Sequence, residues 1–518
     1  MQRSIMKRTK TAALVAAAGA IALLLSACSG TGSASSSGGA KTAPLLSIGS
    51  FVEPPSWDPA VAQEGNYIPF YQAVYDTLIR LSPDGKLEPM LATKWSYNAD
   101  NTELTLTLRD DVTFTDGSKF DGEAAVKNIE HFRAANGPQA TLANYISKVS
   151  APDAKTLVIS LSAPDPSLLR SLTNALGFMA SPKVAGTPGI AKAPVGSGPY
   201  VLDPASTIVG SQYAFTRTKN YWGAKLPYDQ IQLKVLTDET ARMNALRSGQ
   251  VDAAPFVNKT SYDELKGAGL TALSQESDWT GFQFYDRGGV LNPAFADVRV
   301  RQALVTAIDK KGIFKSVLLE RGKLTNQIFN PNDLAYDPSL EDGRWDYDPA
   351  KAKQLLAQAG YGTGLEIELP LIGAFPPAVY TTIIQNLQDV GVTVKQHQFA
   401  PGEAIPGLTG AKFSFAYMQL NLFDDWAMMN QTVVPTAPWN PFKISDPTAD
   451  GYVTDYQNAT SDDERQTAGR ALNKHIVDNV WFGVFYLEDQ VYGVDKKTTV
   501  TLQKGQAVPS IFNYSPAN

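Results

Sequence analysis

The stretch from Tyr75 to Asn128 leaves the chain few ways to fold. Leu104, Leu106 and Leu108 alternate with Thr105 and Thr107, the period of a half-buried strand. Arg109, Asp110 and Asp111 interrupt the pattern. Val112 and Phe114 resume it, and Asp116-Gly117 punctuates it as a turn. Asp121 then stands where its carboxylate can cap a helix beginning near Gly122. The local expectation is a β-rich unit feeding a helix. Nothing in the stretch has the pattern of a catalytic group.

The wording of the stretch says more than its period. YDTL, PMLATKW and LRDDVTFTDGSKF, followed by a helix, resemble the signature block of the family 5 solute-binding proteins. These are the extracytoplasmic receptors of peptide, nickel and some oligosaccharide ABC importers. PPSWDPA (Pro54 to Ala60), PVGSGPY (Pro194 to Tyr200) and NYWG (Asn220 to Gly223) are similar to further family motifs, in the family's order. So are ALRSGQVD (Ala245 to Asp252), DVRVRQALVTAIDKKGI (Asp297 to Ile313) and YDPAKAKQLLAQAGY (Tyr347 to Tyr361). The resemblance spans Pro54 to Tyr361 and thins out beyond. It implies a two-lobed, periplasmic-binding-protein-like α/β fold whose first lobe is discontinuous and carries an inserted β-rich subdomain.

The N-terminus reads as an export leader. Arg3, Lys7, Arg8 and Lys10 form a basic segment, and Thr11 to Leu25 is apolar but short for a membrane span. Leu25-Ser26-Ala27-Cys28 has the pattern of a lipoprotein signal: a small residue before the cleavage point and a thiol after it to carry the lipid. An ordinary signal peptide with an incidental cysteine is the alternative. Cys28 is the one cysteine in the chain, so no disulfide framework is expected. Residues 28–43, rich in Ser and Gly, read as a flexible tether. The net charge of −6 becomes −10 once the four basic residues before Cys28 are removed. A mildly acidic body argues against nucleic acid and against direct adhesion to anionic lipid.

Farther along, Leu45 to Ser50 reads as the first strand, and the Pro/Gly-rich run Ala185 to Pro199 marks the return from the insertion. Asp297 and Asp348-Pro349 each open a helix with a buried stripe. Leu365 to Leu369, a helix over Val379 to Val390, and Val392 to Val394 form a strand–helix–strand unit. The expected division is a signal peptide over 1–27, lobe I over 44–286 and 480–518 with an insertion at about 75–192, and lobe II over 287–479.

Motifs for metalloprotease, redox, nucleophile-elbow and phosphate-loop chemistry are absent from the sequence. His131, His397 and His475 lie far apart along the chain, so no metal site and no cofactor is expected. The resemblance instead implies a solute held between the lobes by Gln63, Asn66, Trp279, Asp424, Asp425, Trp426, Trp439 and Tyr486. In some members of the family a carboxylate of the second lobe pairs with a peptide amino group. FDDWAMM (Phe423 to Met429) stands near that place, with Leu420 where the family has a tryptophan. Trp279 and Gly281 share one face of a strand expected to cross between lobes, leaving room there for a ligand or for close backbone approach. The implied function is a monomeric, membrane-tethered receptor, outside the cytoplasm, that hands a peptide to an ABC permease. An oligosaccharide or other polar solute, and a tethered hydrolase, are the alternatives.

Overall fold

The computed structural model describes residues 42–373, 375–400 and 402–517. The expected leader, Cys28 and nearly all of the tether lie outside the described residues. Among those described, no helix is long and apolar enough to cross a membrane.

The architecture rests on one nine-stranded sheet that serves both lobes. Ala43–Ser50 lies parallel to Tyr228–Val235, and the sheet continues outward through Gln212–Arg217 and Tyr200–Leu202. On its other side come Ala253–Phe256, then Phe482–Val494, Thr271–Phe284 and Phe415–Asn421, and the ninth strand, Lys323–Leu324, pairs with Phe482–Val494 off this path. Two of these strands are unusually long, 14 residues for Thr271–Phe284 and 13 for Phe482–Val494. They run antiparallel, and their register slips between Glu276 and Asp278. Such a bulge increases local twist. The halves on either side of it belong to different hydrophobic cores.

The first core gathers Leu46, Trp57, Tyr75, Leu104, Ile129 and Tyr213, together with Tyr492 and Tyr514 from the chain's end. The first lobe is thus discontinuous. In the second lobe the sheet is covered on both faces. Phe282, Phe284, Phe415 and Phe485 face the helices Val298–Thr306, Pro349–Gln358 and Pro377–Asp389. Trp279, Met418, Val484 and Leu487 face Asp425–Thr432, Pro447–Asn458 and Asp462–Asp478.

The insertion carries a four-stranded antiparallel sheet in the order Ala92–Tyr97, Glu103–Leu108, Thr156–Leu161, Ile146–Asp153. Leu104, Leu106 and Leu108 all point into its core. Asp121 accepts from the Ala124 N–H and caps the helix Gly122–Ala135. Gly122 lets that helix press onto the sheet, since a Cβ there would lie 2.7 Å from the Asp153 carbonyl. Val112 and Phe114 do not extend a strand as their alternation suggested. Asp116 pulls the segment into a closed loop by accepting from the Ser118 N–H at 2.9 Å and from the Ser181 hydroxyl at 2.6 Å. The strand–helix–strand unit forms as expected, but its strands, Leu365–Leu371 and Val392–Gln398, pair only with each other.

The motifs that carry the resemblance converge on structural joints. Asp76 of YDTL, 1% exposed, accepts from Ser197 of PVGSGPY at 2.8 Å and from Tyr221 and Trp222 of NYWG at 3.0 and 2.7 Å. The Arg109 guanidinium of LRDDVTF lies 4.4 Å from the Trp222 ring centre. Gly196 and Gly198 sit so near the Val74 carbonyl that a side chain at either would collide with it. Arg301, in DVRVRQAL, donates to the carbonyls of Phe295, Ala296, Asn479 and Val480 and so fastens its helix to the start of Phe482–Val494, the second of the two long strands that cross between the lobes.

Candidate functional site between the lobes

Loops from both lobes meet along a seam in which carboxylates face one another. The first lobe contributes Glu64, just before the short turn Gly65–Tyr67, whose Oε1 accepts from the Ala175 N–H at 3.5 Å. It also contributes the Pro-Asp-Pro turn that leads into the one-turn helix Leu168–Ser171. There Asp165 Oδ1 accepts from the Ser167 N–H at 3.0 Å. The second lobe contributes Asp424, which caps the helix Asp425–Thr432 by accepting from the Ala427 N–H at 3.1 Å. The Ser167 hydroxyl donates to the same Asp424 oxygen and so joins the lobes. Two more hydrogen bonds cross nearby, from Gln457 Nε2 to the Pro164 carbonyl at 2.9 Å and from Asn101 Nδ2 to the Ala459 carbonyl at 3.3 Å. Tyr145 of the insertion lies 6.2 Å from the Trp426 ring.

The charges are unbalanced. Desolvation pushes Glu64 up to about 7, with Asp424 adding to the effect and the Ala175 N–H and Arg170 opposing it. Asp165 is likewise pushed up to about 7 by burial and by Asp424. Asp333 rises to about 6 through burial and Asp424, against the pull of Arg170. Burial and then Asp333 hold Asp425 well above the usual carboxylate range. Arg170 is the cation that offsets Glu64 and Asp333. Chemically, this is a place for a positively charged group or, in its absence, for protons.

That protonation has a measurable consequence. Unfolded carboxyls titrate near pH ~4, whereas Glu64, Asp165 and Asp333 hold their protons to about 7, 7 and 6 in the folded chain. Their raised values mean that the folded state binds the extra protons. The stability they confer is full below about pH 4 and is lost as the pH rises through about 6 to 7. Calorimetry of the ligand-free protein is expected to give a melting temperature at least about 2 °C higher at pH 5 than at pH 7.5. Glu64→Gln combined with Asp165→Asn should shrink that difference, and an unchanged difference would remove these groups as its source.

The residues expected from sequence are distributed unevenly. Asp424 and Trp426 stand at the seam, the latter stacked on Tyr456 with an interplanar angle of 3°. Gln63 and Asn66 flank Glu64, and Asn66 Oδ1 accepts from Gln490 of the second crossing strand at 3.2 Å. Asp425 points inward instead. It is 3% exposed, and its Oδ2 accepts from the Ala335 N–H at 2.9 Å and the Tyr456 hydroxyl at 3.2 Å. Trp439 is half-buried against the second-lobe core, and its carbonyl accepts from Gln283 at 2.6 Å.

Two further placements are corrected. Trp279 is not at a cleft wall. It pairs with Leu420 and Leu487 inside the sheet, is fully buried, and packs edge-on against Phe482 at 5.5 Å in the second-lobe core. The space left by Gly281 is filled by the neighbouring strand, because a Cβ there would lie 2.3 Å from the Gly483 carbonyl. Tyr486 is also a core residue, and its hydroxyl meets that of Tyr417 at 2.5 Å.

Sequence reasoning missed Glu64, Asp165, Ser167, Arg170 and Asp333. The Pro-Asp-Pro turn was the one visible sign, and it reads equally well as an ordinary loop. The three histidines are dispersed, each near its own carboxylate: His131 by Asp58, His397 by Glu368 and His475 by Asp446. Among the described residues no group of three or more His, Cys, Asp or Glu is arranged to hold a metal.

Comparison with known proteins bears on this arrangement. The profile of the bacterial extracellular solute-binding proteins, family 5 (middle region), matches residues 86–439. The nickel-binding periplasmic protein of Escherichia coli is 30% identical over 361 residues, 62% of this chain and 65% of that protein. The chain therefore spans just under two thirds of that relative's length. Heme-binding protein A of Haemophilus influenzae is 29% identical over 413 residues, 72% of this chain and 73% of that protein. Among solved structures, the ABC transporter substrate-binding protein CtaP of Listeria monocytogenes superposes with a TM-score of 0.80 at 20% identity, over 92% of this chain and 100% of that one. The binding protein DppA of Helicobacter pylori in complex with the peptide STSA gives 0.76 at 18%, over 92% and 99%. Both share the two-lobed fold.

Proposed function

Because the chain belongs to the bacterial extracellular solute-binding proteins of family 5, we propose that it is an extracytoplasmic receptor. Its lobes close around a solute and present it to the membrane subunits of an ABC importer. The protein acts as a monomer, held at the membrane by a lipid on Cys28. The mechanism is binding with hinge motion about the two crossing strands, and no bond is broken.

The solute we infer is a peptide, held by its amino group. The carrying observation is the seam itself, where Glu64 and Asp165 of one lobe oppose Asp333 and Asp424 of the other around Arg170. An ammonium group placed there would compensate charge from both lobes and thereby favour closure. The DppA complex with a peptide supports the choice among the solutes that relatives are named for.

Calorimetric titration with short peptides tests this. Truncating one partner of a desolvated charge pair costs about 2–5 kcal/mol, so Asp424→Ala is expected to weaken peptide binding at least tenfold. Asp425→Ala is expected to act on stability, because it strips the Ala335 N–H and the Tyr456 hydroxyl of their acceptor. Unchanged affinity in Asp424→Ala would remove the amine-binding role. Hydrolysis of the peptide, seen by mass spectrometry, would overturn the receptor reading.

A further inference from the structure

A cavity of about 230 Å³ opens at the seam beside Asp165, far beyond the ~10–15 Å³ that one water needs. Tyr97, Asn101, Asp165 and Leu169 line it from the first lobe, and Gln457 and Arg465 from the second. It therefore takes shape only where the lobes meet. Asp165 is 8% exposed. One of its oxygens accepts from the Ser167 N–H. Among the described residues no hydrogen bond reaches the other, although that atom is not sealed in the protein interior. A carboxylate that is more than nine-tenths buried thus has one oxygen left over for the cavity.

Three polar side chains on the wall donate to backbone carbonyls. Gln457 and Asn101 spend their amide N–H groups on the Pro164 and Ala459 carbonyls. Arg465 pairs through Nη1 with the exposed Asp462 at 3.2 Å and donates through Nη2 to the Ala459 carbonyl at 3.0 Å, while its buried Nε has no partner among the described residues. Asp424 lies close enough to add negative potential at Asp165.

We propose that this cavity is a specificity pocket for a basic side chain, in which Asp165 receives the ammonium or guanidinium group of a lysine or arginine near the peptide's amino end. The proposal rests on the peptide reading above. It adds that the receptor discriminates among peptides and names the residue that does so. The apolar face of Leu169 and the ring of Tyr97 would take the aliphatic stem, as long basic side chains commonly bury theirs.

The test compares matched peptides on the full chain by calorimetric titration: Lys-Ala-Ala with norleucine-Ala-Ala, and Ala-Lys-Ala with Ala-norleucine-Ala. The lysine member of at least one pair is expected to bind at least tenfold tighter to the wild type. Asp165→Asn keeps an oxygen for the Ser167 N–H while removing the charge. It should erase the difference between the lysine and norleucine members, whatever it does to the affinity they share, and a cooperative thermal melt reports that it is folded. Asp165→Glu should keep a preference. Equal affinities within both pairs in the wild type, or a preference that survives Asp165→Asn, would overturn the pocket and leave the receptor reading standing. Failure of all four peptides to bind would overturn the peptide reading and the pocket with it.

Discussion

Asp76→Ala is expected to destabilise the protein by about 3–5 kcal/mol, the largest loss foreseen for a residue outside the seam. The carboxylate is buried and serves three donors at once, the Ser197 hydroxyl, the Tyr221 hydroxyl and the Trp222 indole N–H. Each buried donor left unpaired costs about 1–3 kcal/mol. The sum is trimmed because Tyr221 and Trp222 are only half-buried and can recover some water. Burial pushes Asp76 up to about 7 despite these donors, so the measurement belongs near pH 8, where the carboxylate is ionised. Asp76→Asn should lose less, since its amide oxygen still accepts and its N–H₂ can donate to the Ser197 or Tyr221 hydroxyl in place of the bond that hydroxyl made. A midpoint shift in urea of the expected size, with unchanged m-value, would confirm the joint. A loss below about 1 kcal/mol would mean that the three motifs are held together by packing alone. None of these partners belongs to the seam, so peptide affinity of the folded fraction should be preserved.

Arg301→Met is the second large effect, at about 3–4 kcal/mol. The guanidinium is 5% exposed and bonds four carbonyls. Burial lowers it to about 10, still cationic at neutral pH. Methionine matches much of the stem but none of the donors, and it leaves buried carbonyls without partners. Two of these, on Asn479 and Val480, precede the crossing strand Phe482–Val494, where Val480 adopts a left-handed φ of 46°. Losing the anchor should therefore loosen the hinge strand as well as the helix. Faster amide hydrogen exchange at the start of that strand is the accompanying signature. Normal protection there, with normal stability, would contradict the role.

Much of the scaffold could be read from the chain because the physics is local. Alternation placed Leu104, Leu106 and Leu108 in a strand. Asp121, Asp297 and Asp348 all cap the helices that follow them, through hydrogen bonds spanning two or three residues. The site was less legible because none of its parts is periodic. Glu64, Asp165, Asp333 and Asp424 sit in loops or at a helix start, and only the closing of one lobe on the other makes them neighbours. Trp279 shows where alternation stops being informative. Alternation tells which residues share a face of a strand, but in a strand that crosses between lobes it cannot tell which core that face meets. Asp424 and Asp425 show a finer limit, since a one-residue step at a helix N-terminus separates a seam carboxylate from an interior one. The motifs behind the resemblance were recognisable, yet their role at Asp76 and Arg301 is to join distant segments, which only contacts reveal.

Native mass spectrometry of the protein mixed with a library of short peptides tests the central claim most directly. One intact peptide per chain is expected, recovered chemically unchanged on denaturation and no longer retained by Asp424→Ala. Retention of no peptide by the wild type, equal retention by Asp424→Ala, or recovery of cleaved peptides would contradict a receptor that closes on an amine between its lobes.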